Sequence, residues 1–171
     1  MRIGALLLIT ATLLGFSMYG CKWYSLSGGR TFADSVTVSV ITFNNSAPLA
    51  KPTLPQTMTE SLREIILRQT RLKLVQQNGD LNYEGTITGY SIAPVAISGG
   101  GTDQAALNRL TISINIKYTD KIEEQYNFES SFSRFADFPS SQSLPAVEDQ
   151  LIKEITDQIV QDIMNRSINA W

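Results

Sequence analysis

The chain has 171 residues, 14 basic and 16 acidic side chains, a net charge of −2, no histidine and one cysteine. A balance this close to neutrality argues against a nucleic-acid binder. Without histidine there is no Ser-His-Asp or Cys-His catalysis, and the usual zinc and redox-metal ligands are missing, so no metal or cofactor is expected.

Arg2 heads an apolar run at 3–16 (IGALLLITATLLGF), and Gly20-Cys21 follows shortly after. The run has the length of a signal peptide and is too short for a stable membrane span. Gly20-Cys21 fits a bacterial lipoprotein signal, although Met18 and Tyr19 stand where Leu and a small residue are usual. The expectation is cleavage before Cys21 and a diacylglycerol on its sulfur. Ordinary secretion with a leftover thiol, or an uncleaved anchor, is the alternative. A lone exposed thiol is a liability in an oxidising compartment, which favours lipid. Two or more acyl chains anchor firmly where one does not. The chain then divides into a removed signal at 1–20, a lipidated N-terminus and tether at 21–35, and one domain at 36–171. Loss of Arg2 with the signal leaves 13 basic against 16 acidic side chains, in a chain long enough to bury a core.

Gly28-Gly29 breaks any regular element in the tether. Residues 36–43 (VTVSVITF) read as a strand with Val36, Val38 and Val40 on one face. Ile41 and Phe43 fall on the other face, so the strand is bulged near its end or buried on both sides. Residues 44–51 form a loop. A helix follows near 53–69, with Thr53 as N-cap, Pro55 in the first turn, and Met58, Leu62, Ile65, Ile66 and Gln69 at helical spacing. A short strand at 72–75 precedes Asn78-Gly79-Asp80, read as a hairpin turn into a strand at 83–92. Gly85 and Gly89 in that strand imply a bend or the close approach of another element.

Residues 93–104 contain Ser98-Gly99-Gly100-Gly101-Thr102, a loop. No strand-Gly-helix context or Lys-Ser/Thr pair follows, so it is not a P-loop. The strand at 108–118 alternates most clearly, with Leu110, Ile112, Ile114, Ile116 and Tyr118 on one face and Arg109, Thr111, Ser113, Asn115 and Lys117 on the other. Its hairpin partner is expected at 124–135, with Tyr126, Phe128 and Phe132 as core rather than a ligand platform. A long helix at about 145–167, capped by Ser143, carries Val147, Leu151, Ile155, Ile159 and Ile163 at intervals of four.

The order β-α-β-β-β-β-α predicts an α+β fold. Two amphipathic helices pack on one face of a four- to five-stranded, mostly antiparallel, mixed sheet, with a parallel pair from the first β-α-β unit. The other sheet face is polar. Arg109 and Lys117 on it suit anionic groups such as lipid head-group phosphates, although a plain solvated face is the favoured reading. Asp34, Glu60 and Asp80 read as cap and turn residues. Carboxylate or Ser-Lys catalysis has no supporting spacing, and the enzyme reading is the weakest.

Six segments in order carry a family resemblance: 23–28 (WYSLSG), 45–49 (NSAPL), 79–85 (GDLNYEG), 89–90 (GY), 106–111 (ALNRLT) and 132–137 (FSRFAD). No one of them is specific, but their order and spacing resemble the Bacteroidetes branch of the LptE family of lipopolysaccharide-assembly lipoproteins. The resemblance implies two helices on one face of a sheet and no enzymatic activity. It also implies residence at the periplasmic face of the outer membrane, anchored in the inner leaflet by lipid. There the protein would plug the LptD β-barrel and assist insertion of lipopolysaccharide into the outer leaflet. Basic residues touch lipopolysaccharide in the proteobacterial members of the family; the resemblance makes Arg109, inside a matching segment, the first candidate here and Lys117 the second. Lys22 is not followed by acidic residues, so the surface-export tag of some Bacteroidetes lipoproteins is missing. The rival reading is a periplasmic lipoprotein adaptor of a secretion or Tol-type system, binding peptide by a sheet edge.

Overall fold

Alternation along β5 (Leu107–Asp120) sets the two faces of the sheet in the computed structural model, which describes residues 30, 32–95 and 107–168. Leu110, Ile112, Ile114, Ile116 and Tyr118 are buried on one face, as their spacing predicts. β5 pairs antiparallel with β4 (Leu81–Val95) on one side and β6 (Phe128–Pro139) on the other. Helices α1 (Leu54–Gln69) and α2 (Leu144–Ser167) cover the apolar face. Met58, Leu62, Ile65 and Ile66 of α1 meet Leu151, Ile155, Ile159 and Ile163 of α2 and the sheet in one core. Gln69, on the expected stripe, instead donates to Gln161 between the helices at 3.2 Å. Thr53 and Ser143 hold the expected N-cap positions, but neither side chain caps. The α+β architecture agrees with the sequence.

The sheet order is β3-β1-β4-β5-β6, where β1 is Thr37–Val40 and β3 is Lys73–Val75. A two-residue strand, β2 (Asn44–Asn45), sits in the expected loop and continues along β4. β1 is parallel to β3, as the first β-α-β unit requires, and also parallel to β4. The Asn-Gly hairpin is therefore corrected: β1 lies between the two strands that the turn was expected to join. The link crosses β1 instead. Asn78 takes the left-handed conformation (φ 57°), and a Cβ on Gly79 would lie 2.6 Å from the Ser39 amide nitrogen. Polar groups seal the crossing. The Asp80 carboxylate accepts the Thr37 amide and hydroxyl at 2.9 and 2.7 Å, and the Ser39 hydroxyl accepts the Gly79 amide at 3.0 Å.

The expected bulge after β1 is present. Val40 opposes Tyr83 and Asn44 opposes Thr86, so four steps on one strand match three on the other. Ile41 stays exposed while Phe43 turns into the core, so the two do not share a face. Gly85 makes room for Phe43: a Cβ there would stand 2.2 Å from the ring. A second bulge in β4, between Ile87 and Gly89, brings Tyr90 onto the core face opposite Ile112. The expected strand at 124–135 is also shifted. Residues Glu124–Tyr126 form a single 3-10 turn, and β6 begins at Phe128.

Candidate functional site

Two regions gather charged and polar side chains. The first is the sheet face opposite the helices. Antiparallel register sets Arg109 opposite Asp137, Ser113 opposite Ser133, and Lys117 between Glu84 and Glu129. Arg109 donates Nε and Nη2 to the two Asp137 oxygens at 2.7 and 2.8 Å and lies 3.6 Å over the exposed Phe135 ring. Its hydrogen bonds to Asp137 hold the guanidinium above its ordinary pKa, against a smaller opposing effect of desolvation, and the same pair holds Asp137 below the usual carboxylate range. Asn115 donates to Glu129 at 3.0 Å. Lys117 lines a shallow groove with Glu84, Glu129, Asn115, Thr86 and Thr88, and makes no ion pair among the described residues. Both candidate cations thus stand beside carboxylates, and the face around them is polar and of mixed charge.

The second region lies at one end of the sheet, where the chain enters the domain. The Arg30 side chain is only 9% exposed. It donates Nη2 to Asp120 at 2.7 Å and to Glu123 at 3.0 Å, and Nη1 to the Ser167 carbonyl at 3.4 Å near the C-terminus of α2. Tyr126 and Phe32 lie 3.9 and 4.8 Å from the guanidinium. Burial opposes its charge, but its hydrogen bonds to Asp120 and Glu123 outweigh that and hold its pKa above the ordinary value. Asp120 is fully buried and also accepts the amides of Ile122 and Glu123 at 2.9 and 2.8 Å. Beside it, Tyr83 donates to Ser167 at 2.8 Å, and burial raises the pKa of both Tyr83 and Tyr118.

Cys21, Lys22 and the glycines at 99–101 lie outside the described residues. Arg109 and Lys117 share the open face as their spacing predicts, but they lie eight positions apart on β5 and each has its own acidic neighbours. Arg30 and Phe32 fall in the stretch expected to be tether, yet both are packed into the domain. Sequence reasoning passed over Arg30 because its partners are 90, 93 and 137 residues away. Among the described residues there is no cluster of three or more His, Cys, Asp or Glu able to hold a metal, and no helix long and apolar enough to cross a membrane.

The family model described as "LptE: Lipopolysaccharide-assembly" matches residues 35–167. Among solved structures, a hypothetical protein from Chlamydia trachomatis is similar at 8% identity and TM-score 0.50, covering 78% of this chain and 98% of that one. A minor lipoprotein from Acinetobacter baumannii has 12% identity and TM-score 0.49, with 78% and 93% covered. The rare lipoprotein B from Shewanella oneidensis has 16% identity and TM-score 0.46, with 74% and 91% covered. A comparison with curated proteins finds no match to the chain.

Proposed function

This chain belongs to the LptE family of lipopolysaccharide-assembly proteins, and on that premise we propose that it is an outer-membrane lipoprotein subunit of the lipopolysaccharide translocon. It plugs an LptD-type β-barrel, assists assembly of that barrel, and helps lipopolysaccharide reach the outer leaflet. The family match over 35–167 carries this reading. The polar sheet face supports it physically, because the interior of a large outer-membrane barrel is itself polar.

In this role the protein works by placement, with acyl chains on Cys21 holding it at the periplasmic face. Arg109 and Lys117 are its proposed lipopolysaccharide contacts. A phosphate reaching Arg109 has to compete with Asp137 for the guanidinium fork, whereas Lys117 has no ion-pair partner among the described residues to displace.

Purification from detergent-solubilised outer membrane tests the reading. A large barrel at near-equal stoichiometry is the expected result, and its absence sinks the proposal. Depletion should lower surface lipopolysaccharide and outer-membrane impermeability. Intact lipopolysaccharide with a secretion defect would favour the adaptor reading instead. Cys21→Ser should release the protein from membranes that lack the barrel, as measured by flotation.

A further inference from the structure

We propose that Arg30 is a positioning residue that fixes where the lipid tether leaves the domain and how far the tether reaches. The inference rests on Cys21 being the anchor and adds the geometry of its attachment. Arg30 is held through backbone and side chain together. Its amide donates to the Ile168 carbonyl at 3.1 Å, and its guanidinium binds Asp120 and Glu123 between two aromatic rings. It lies nine positions after Cys21, so covalent geometry limits that distance to about 30 Å.

The next secure point along the chain is Val36, whose carbonyl accepts the Lys73 amide where β1 enters the sheet. Between the two, Phe32 packs partly against the core and shares the Arg30 cation. Without the Arg30 clamp the leash would run from 21 to 36 and reach about 50 Å. The clamp therefore removes about 20 Å of freedom.

The clamp and the start of β1 lie at the same end of the domain, since Thr37 donates to Asp80 and the Asp80 carbonyl accepts the Lys121 amide. Asp120 grips the amides of the turn that displays Lys121 and the exposed Ile122. The opposite end is marked by Tyr90, hydrogen-bonded to Glu148 in the first turns of α2, and by the exposed Ser91. The length of α2 between Glu148 and Ser167 sets the ends about 30 Å apart. With the leash leaving from that end and shortened by the clamp, the turn at Ile122 is the membrane-proximal end.

The test uses the full-length chain, expressed and purified from membranes and reconstituted in vesicles of phosphatidylethanolamine and phosphatidylglycerol. A donor dye is placed on a noncanonical residue at position 122 or 91, and an acceptor dye on the lipid head groups. The proposal expects at least twofold more transfer from position 122 than from 91. The double substitution Arg30→Met with Asp120→Asn removes both charges, while the amide oxygen still serves the Ile122 and Glu123 amides. It should lower transfer from 122, as a longer leash leaving the same end would. It should also speed hydrogen exchange at the residue-30 amide, which is bonded to the Ile168 carbonyl, at least tenfold, with Val38 and Val40 still protected.

Six Gly/Ser residues inserted between Gly28 and Gly29 lengthen the leash with Arg30 intact. This variant should lower transfer from 122 without changing exchange, and it decides the matter if the double variant does not fold. Equal transfer from both positions in the parent, or a folded double variant with parental transfer and exchange, overturns the proposal. So does an insertion without effect on transfer. The mass of the N-terminal peptide reports lipidation separately. A bare Cys21 overturns the anchor reading, and exchange at Arg30 then decides the clamp by itself.

Discussion

Two arginine–aspartate pairs in this domain use the same atoms in different surroundings. Arg30–Asp120 joins side chains that are 9% and 0% exposed; Arg109–Asp137 joins side chains that are 35% and 29% exposed. Both arginines lie over aromatic rings, and both approach the carboxylate at 2.7 Å. Distance therefore does not distinguish them, but the surrounding solvent does. At the buried end, removing one partner leaves a carboxylate with no water to replace the lost cation. On the open face, water solvates whichever partner remains. The buried pair is a structural joint, and the exposed pair is a surface feature that a ligand or partner can rearrange.

The sharpest test of this contrast is Arg30→Ala. It should lower the unfolding free energy by about 3–5 kcal/mol, read from urea denaturation at neutral pH. Restoring neutrality with Asp120→Asn in the same chain should recover part of that loss. Recovery of none would show that the aromatic stacking, rather than the ion pair, holds the joint.

A second effect comes from the tyrosines. Burial raises the pKa of Tyr83, Tyr118 and Tyr90, so all three stay neutral in the folded protein after the unfolded chain has begun to ionise. Their share of stability is complete below pH 10 and falls as pH rises above it. Each tyrosine should cost about 1.4 kcal/mol per pH unit there. Denaturation at pH 10 and 11 should show that slope, and Tyr83→Phe should remove one tyrosine's part of it.

The smallest effect is expected from Arg109→Ala, which should barely move the unfolding midpoint at neutral pH and still less in high salt. Its visible trace should be at acid pH. Asp137 is held below the usual carboxylate range, so the pair contributes above the unfolded value and is lost as pH falls through the lowered one. Without Arg109, the acid limb of the stability curve should move to higher pH. A neutral-pH loss comparable to that of Arg30→Ala would break the comparison.

What could be read in advance follows the range of the interactions. Helical stripes such as Leu151, Ile155, Ile159 and Ile163, and the alternation of β5, are local patterns imposed by one apolar layer, and they appear where their periods put them. The candidate face was legible for the same reason, since Arg109 and Lys117 lie on one alternating strand. What escaped depends on partners distant in sequence. Asn78-Gly79 has hairpin chemistry, but whether it closes a hairpin depends on β1 already lying between β3 and β4. Tyr90 changes face because β4 holds one extra residue against β5. Tyr126 falls in the expected strand yet turns toward Arg30, a residue separated from it by most of the domain's sequence.

The placement of β1 has a consequence for how the chain comes to be folded. Its two partners in the sheet, Lys73 and Leu81, lie 36 residues after Thr37 and 43 after Val38. A chain emerging N-terminus first from a ribosome or an export channel thus presents its first strand long before anything can pair with it. The sheet cannot start from that end, and parallel, long-range pairings of this kind are slow to close. The order of the strands therefore leaves β1 without a sheet partner until residues 73–83 have been delivered. For that interval an apolar strand is left exposed, and its burial waits on the later half of the sheet.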